Sequence, residues 1–189
     1  MTDLLAPGDG RAAGLADDAA VLAALVGVEQ SWLEVLVDSG VAPPGARADL
    51  AALVGPEDLP ALAGAGEGSG NPIVPLLALL RERLGEAEAA RWLHRGLTSQ
   101  DVLDTALVRC VGDAGRRVLS DAERQVGALV RLADEHRGSL QAARTLAGHA
   151  VPTTFGAVAA GWLHGVLDAA GDLADALDRL PVQVGGAAG

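Results

Sequence analysis

Two short stretches gather the side chains that could do chemistry. The first is His94-Arg95-Gly96-Leu97-Thr98-Ser99-Gln100-Asp101. The second is Arg144-Thr145-Leu146-Ala147-Gly148-His149-Ala150-Val151-Pro152-Thr153-Thr154. Each joins an Arg and a His to a pair of hydroxyls, Thr98-Ser99 and Thr153-Thr154, at the expected start of a helix. The first turn of a helix carries unpaired N–H groups and the positive end of the macrodipole, so such a loop suits a carboxylate or phosphate. A neighbouring guanidinium adds charge-assisted hydrogen bonds. His149 is a candidate for moving a proton, because imidazole is the side chain that exchanges one near neutral pH. A plain structural reading stands beside each of these: Thr98 and Ser99 are good helix caps, Asp101 complements the dipole, and a loop histidine is often only solvated. The other two histidines read as structural. His136 falls in the last turn of a long helix, and His164 precedes Asp168 by one helical turn, a surface ion-pair spacing.

The elements that must hold these loops are helical by period. Val21, Leu25, Val28, Trp32 and Val35 recur at helical spacing with Glu29, Gln30, Glu34 and Asp38 elsewhere, and Gly40 with Pro43-Pro44 ends the run. A shorter helix is expected over Ala46–Val54. The Gly-rich passage from Gly55 to Pro72 reads as a linker or as a loop that approaches a ligand. Helical pattern resumes over Ile73–Leu84 and Glu86–His94, broken at Gly85. A long helix then runs from about Asp101 to His136 with Leu103, Leu107, Cys110, Ala114 and Val118 on one face, and a kink is conceivable at Gly112–Gly115. Residues 139–152 show no clear period. The last helix opens near Thr153 or Thr154, with Phe155, Val158, Trp162, Val166, Ala170, Leu173, Leu177 and Leu180 on its apolar face. No run alternates as a strand, so the fold class is all-α.

A helix of ~36 residues is ~54 Å long. That exceeds the ~32–36 Å expected of a compact domain of this size, so the helices should pack on other subunits. The same length separates the two loops. The roughly twelve residues from 137 to 149 return at most ~40 Å. Ser99 and His149 of one chain therefore share a pocket only if the long helix breaks; otherwise one site takes its two loops from different subunits.

Composition narrows the function classes. All 14 basic residues are Arg, against 25 acidic ones, and the net charge is -11. With three Trp, one Phe and no Tyr there is neither a basic footprint nor a stacking platform for nucleic acid. The longest apolar run, Ala19 to Val28, has ten residues, against the ~20 a bilayer crossing needs. Met1-Thr2-Asp3-Leu4-Leu5 lacks the basic start of a signal peptide. The single Cys110 reads as core, and nothing resembles a Cys/His metal cluster. The expectation is a cytoplasmic protein with no membrane or nucleic-acid partner and no metal.

The two loops resemble conserved regions of the fumarase/aspartase/adenylosuccinate lyase superfamily. His94 to Ala106 is similar to its first region, and His149-Ala150-Val151-Pro152-Thr153-Thr154-Phe155-Gly156 to its second. Gly70-Asn71-Pro72-Ile73-Val74-Pro75-Leu76, Ala160-Gly161-Trp162-Leu163 and Leu180 to Gly189 most resemble the bacterial 3-carboxy-cis,cis-muconate cycloisomerases. The resemblance implies an all-α homotetramer with a bundle of long helices and active sites built from three subunits. It divides the chain into an N-terminal helical domain, 1–98, and the first part of the central bundle, 99–189. It implies addition or removal of a group across a C=C bond beside a carboxylate, here lactonisation of a small polycarboxylate in protocatechuate breakdown, without any cofactor. Other lyases of the superfamily, such as adenylosuccinate lyase, and a non-catalytic helical assembly module are the alternatives.

Carried over by position, Thr98, Ser99 and Gln100 hold a substrate carboxylate, Asn71 lines the pocket with His94 and Arg95 nearby, and Arg144, Thr145, Thr153 and Thr154 complete the binding set. His149 is then the proton-transfer or charge-stabilising group. Two departures matter. Leu146 stands where the lyases place a His, which favours the cycloisomerase type, and Gly148 stands where a Gln is common. The superfamily's third region, with its catalytic Ser and a Lys, does not occur in these 189 residues. The resemblance thus implies the N-terminal part of a longer enzyme, inactive alone.

Overall fold

The computed structural model describes residues 8–189; the Met1–Leu5 start lies outside the described residues. The chain divides into two compact units, Met1–Ala114 with Pro181–Gly189, and Gly115–Leu180. The helical class holds, with one small sheet added to it.

In the first unit α1 spans Asp18–Asp38. Asp17 caps it, accepting from the Ala20 N–H at 2.9 Å, and Gly40 leaves it in the left-handed region at φ 74°. Its buried stripe is Leu22, Leu25, Val26, Glu29, Leu33 and Leu36, with Val37 beside it. That is a different face from the one the valines suggest, for Val35 is 53% exposed. The leucines are the better guide because each buries more apolar surface, worth about 1.5–3 kcal/mol when fully enclosed.

The helix expected over residues 46–54 is absent; two single 3₁₀ turns, Pro44–Ala46 and Ala51–Leu53, stand there instead. Gln30 of α1 explains this. Its amide accepts from the Leu50 N–H at 2.8 Å and donates to the Ala48 carbonyl at 3.0 Å, diverting the backbone groups a helix would use. The Gly-rich passage is not a linker: α2 spans Leu59–Ser69 and stops at Gly70, φ 76°. Leu62 buries against the core, and tertiary burial outweighs three weak helix formers.

The helix α3 covers Ile73–Leu84, with Ile73, Leu76, Leu77 and Leu80 buried. The short α4 covers only Glu88–Trp92, so His94 lies outside it in a tight turn. Together Leu33, Leu50, Ile73, Leu76, Leu80 and Val102 form the closed centre of this unit.

From Ser99 to Glu135 the helix α5 is continuous, with no break at Gly112–Gly115. Cys110 is buried, as its position on the helix face suggests, and burial pushes its thiol up from the usual value. Leu107 and Val118, assigned to the same face, are 46% and 54% exposed.

In the second unit, β1 (Leu140–Thr145) and β2 (Gly148–Thr154) pair antiparallel around Leu146-Ala147. The hairpin escaped the periodicity reading because it covers no apolar face: Leu140, Leu146 and Val151 are all exposed. Its turn also lacks the usual Asn-Gly signature, and Ala147 takes the positive φ of 62° itself. Thr154 then caps α6, Phe155–Asp178, accepting from the Ala157 N–H at 3.1 Å. Gly156 sits so close to the end of α5 that a Cβ there would lie 2.5 Å from the Ala133 carbonyl oxygen and 2.6 Å from the Arg137 Cα. His136 meets Phe155 edge-to-face at 5.1 Å and faces the Ser139 hydroxyl at 3.1 Å, a structural role. His164 makes no ion pair with Asp168 among the described residues.

Candidate functional site

The loop entering α5 is built from both ends. At its C-terminal end Thr98 is the cap and Asp101 sits three residues on. The Thr98 N–H donates to Asp101 Oδ2 at 2.7 Å, and the Asp101 N–H reaches back to Thr98 Oγ1 at 3.4 Å. This reciprocal box satisfies two of the orphan donors of the helix start.

Asp101 does more than cap. It is 2% exposed, and its oxygens also accept from the Gly185 N–H at 2.7 Å and the Gly186 N–H at 3.1 Å. One turn on, the Thr105 hydroxyl donates to the Gln183 carbonyl and accepts from the Gln183 N–H. The segment Gln183–Gly186 is thus strapped along the first turns of α5. The Gly185 N–H foremost, with those of Thr98 and Gly186 and the Thr98 hydroxyl, holds the Asp101 carboxyl at about 2, outweighing the opposing effect of burial.

At its N-terminal end the loop is gripped by α1. His94 has a left-handed backbone, φ 63°, which an L-residue adopts at a cost of about 1 kcal/mol or more. Its Nδ1 lies 2.6 Å from Glu29 Oε1. Glu29 is fully buried, and its Oε2 has no hydrogen-bond partner. Trp32, one turn along α1, donates its indole N–H to the Arg95 carbonyl at 2.8 Å. The Arg95 guanidinium stacks over the Trp92 ring at 4.4 Å.

The Ser99 hydroxyl makes no hydrogen bond among the described residues, while Gln100 donates to Asp104 at 2.6 Å. Asn71 uses its side-chain oxygen to accept from the Ile73 N–H at 3.0 Å and the Val74 N–H at 3.3 Å, capping α3. No hydrogen bond links Asn71 to the 94–101 loop among the described residues. Half of the candidate set therefore lies in the first unit, with Thr98 and Asn71 performing capping duties there.

Arg144, Thr145, His149, Thr153 and Thr154 lie in the second unit, on the hairpin. Its register sets Arg144 directly opposite His149 and Thr145 opposite Gly148. Opposed residues project from the same face of a strand pair with Cβ atoms ~5 Å apart, so one cation and one imidazole stand side by side. Both are exposed, and Leu146 at the tip is 100% exposed. Thr153 pairs with Gln141, and the Thr154 hydroxyl is spent on the α6 cap. No group of His, Cys, Asp and Glu with metal-binding geometry occurs among the described residues.

Sequence reasoning overlooked Glu29, Trp32 and the strap. Glu29 was legible in one respect: leucines four and seven residues to either side, at 22, 25, 33 and 36, place it within the buried stripe.

A lyase family model matches residues 67–189. The chain is 44% identical to a nitrosuccinate lyase of Streptomyces davaonensis, over 91% of this chain and 37% of that protein. It is 35% identical to a 3-carboxy-cis,cis-muconate cycloisomerase of Bradyrhizobium diazoefficiens, over 100% of this chain and 44% of that one. The crystal structure of a fumarate lyase from Mesorhizobium sp. BNC1 superposes with a TM-score of 0.84 at 31% identity, over 95% of this chain and 42% of the other. The chain thus spans about two-fifths of the length of these relatives.

Proposed function

The chain belongs to the lyase family of the fumarase/aspartase superfamily, and from that premise we propose that the complete protein cleaves or forms a bond one carbon from a substrate carboxylate, with a leaving group that departs as a stable anion. The observation that carries this is Leu146. In the hairpin it occupies the place where the resemblance puts a proton-donating His, beside Thr145 and opposite no ionisable group. An apolar side chain cannot protonate a departing amine. A carboxylate, whose acid has a pKa near 4, or a nitrite needs no proton to leave at neutral pH.

Within that class, the 44% identity to a nitrosuccinate lyase favours elimination from a nitrosuccinate-like dicarboxylate. A base would take the proton beside one carboxylate, the C–H electrons would form the C=C bond, and the C–N pair would leave with nitrite. Lactonisation of 3-carboxy-cis,cis-muconate is the second reading, supported by the Gly70–Leu76 and Leu180–Gly189 motifs and by 35% identity over the whole chain. The same absent proton donor serves both.

In either case Ser99, Gln100 and the first N–H groups of α5 receive one carboxylate, with Arg95, His94 and Asn71 around it. Arg144, Thr145 and Thr153 bind from the hairpin, Thr154 sets the α6 start, and His149 beside Arg144 transfers the proton or steadies developing charge. The unbroken α5 supports a composite site in a homotetramer. The substrate is a small polycarboxylate, and the setting is cytoplasmic.

A substrate panel tests the proposal with the full-length protein. Nitrosuccinate or 3-carboxymuconate should turn over at least ~100-fold faster than adenylosuccinate or argininosuccinate, the span that general-acid catalysis commonly supplies. Equal or faster turnover of the amine-releasing substrates would overturn it.

A further inference from the structure

We propose that Glu29 is a positioning residue that fixes His94 with its proton on Nδ1, so that Nε2 is the atom this loop presents to the substrate. The proposal rests on the reading of His94 as a substrate-binding residue.

Four observations converge. Glu29 lies in a stripe of leucines with no solvent exposure, and its Oε1 is 2.6 Å from Nδ1. When the carboxylate is the acceptor of this hydrogen bond, the shared proton sits on Nδ1 and Nε2 is left bare. His94 Nε2 has no partner among the described residues, and the side chain keeps 14% of its surface exposed. The same helix holds the next residue too, through the Trp32 indole on the Arg95 carbonyl, so α1 controls both the ring and the backbone of the turn.

A fastening alone would not take this form. The turn already has Gly96 at φ 92°, yet His94 adopts φ 63° without being a glycine. Glu29 leaves Oε2 buried and unpaired, although an apolar side chain of similar size would satisfy the stripe better. The backbone cost belongs to position 94 and the buried unpaired oxygen to position 29, and the two meet in one contact, Glu29 Oε1 to His94 Nδ1.

The test begins with the chain labelled with ¹⁵N-histidine and long-range ¹H–¹⁵N correlation spectra at neutral pH. His94 should show the Nδ1–H pattern. Glu29→Gln, whose amide oxygen still accepts, should preserve it, while Glu29→Leu should shift the ring toward the Nε2–H tautomer that free imidazole prefers. A wild-type ring with bare Nδ1 would mean that Glu29 is the donor, and this overturns the proposal. So does a tautomer unchanged in Glu29→Leu. If that variant fails to fold, the wild-type and Gln spectra still decide.

In the full-length enzyme, Glu29→Leu should raise KM about tenfold, the loss of one well-placed hydrogen bond, with kcat within about threefold. Glu29→Gln should restore KM. A variant that merely loosened the fold would lower the active fraction and hence kcat, leaving KM unchanged, and that result refutes positioning. Failure of the wild type on every substrate of the panel, with the Nδ1–H tautomer observed, would refute the reaction assignment while upholding the Glu29–His94 geometry.

Discussion

The loop that opens α5 and the hairpin that follows it carry similar side chains in opposite circumstances. In the loop, three residues around the helix start are held by others: Asp101 by four donors, His94 by buried Glu29, Arg95 by Trp32 and Trp92. On the hairpin, Arg144, Thr145, Leu146 and His149 are exposed, and backbone pairing, the Thr145 hydroxyl on the Gly148 carbonyl and the α6 cap order the segment. One half of the candidate site is preorganised by its own unit. The other presents its residues on an exposed two-stranded scaffold. A binding constellation needs rigid support, so we expect the substrate's position to be set by the loop and its reactivity by the hairpin.

The sharpest break is at the hairpin's footing. Gly156→Ala would drive a Cβ into the backbone of residues 133 and 137, and rigid backbone cannot yield as a side chain would. We expect a loss of about 3 kcal/mol or more, read from denaturant unfolding. A loss below ~1 kcal/mol would show that the hairpin and α6 are not anchored as described.

Asp101→Ala comes next, at about 2 kcal/mol, because it strands the partly buried N–H donors of Thr98, Gly185 and Gly186. The pH dependence has a definite sign. The carboxyl is held at about 2, below its ordinary 3.8, so the unfolded chain binds the proton first as pH falls. The contribution is complete above about 4 and is lost between about 4 and about 2. Asp101→Asn should flatten the stability curve over that interval; an unchanged curve would place the titration elsewhere.

Thr154→Ala removes the α6 cap and should cost about 1 kcal/mol. Arg144→Ala should move stability by less than ~0.5 kcal/mol, as for an exposed side chain. In the full-length protein it should nevertheless weaken substrate binding far more than Arg124→Ala, which only breaks a surface pair with Asp121. Equal effects from the two would remove Arg144 from the site and erase the contrast drawn above.

The same contrast decided what could be read in advance. The long helices were legible because amphipathic period and boundary residues agree at Gly40, Gly85 and Thr154. The helix through Gly64, Gly66 and Gly68 was not, since Leu62 and the surrounding core enforce it against local propensity. Residues 46–54 misled in the other direction, because Gln30 claims their backbone from a distant element. Within the site, residue types and neighbours along the chain were visible. Partners such as Glu29 and Gly185 lay 65 and 84 residues away from His94 and Asp101, where no local pattern reaches.

That last separation has a kinetic side. The first unit is interrupted: the chain departs at Ala114 and rejoins at Pro181. The strap can close on Asp101 and Thr105 only after a 66-residue excursion has been made and its ends brought back together. During synthesis, Asp101 must therefore wait, capped by Thr98 alone, until Gly186 has emerged. The late closing of that clasp, rather than any helix, should set the pace at which the first unit is finished.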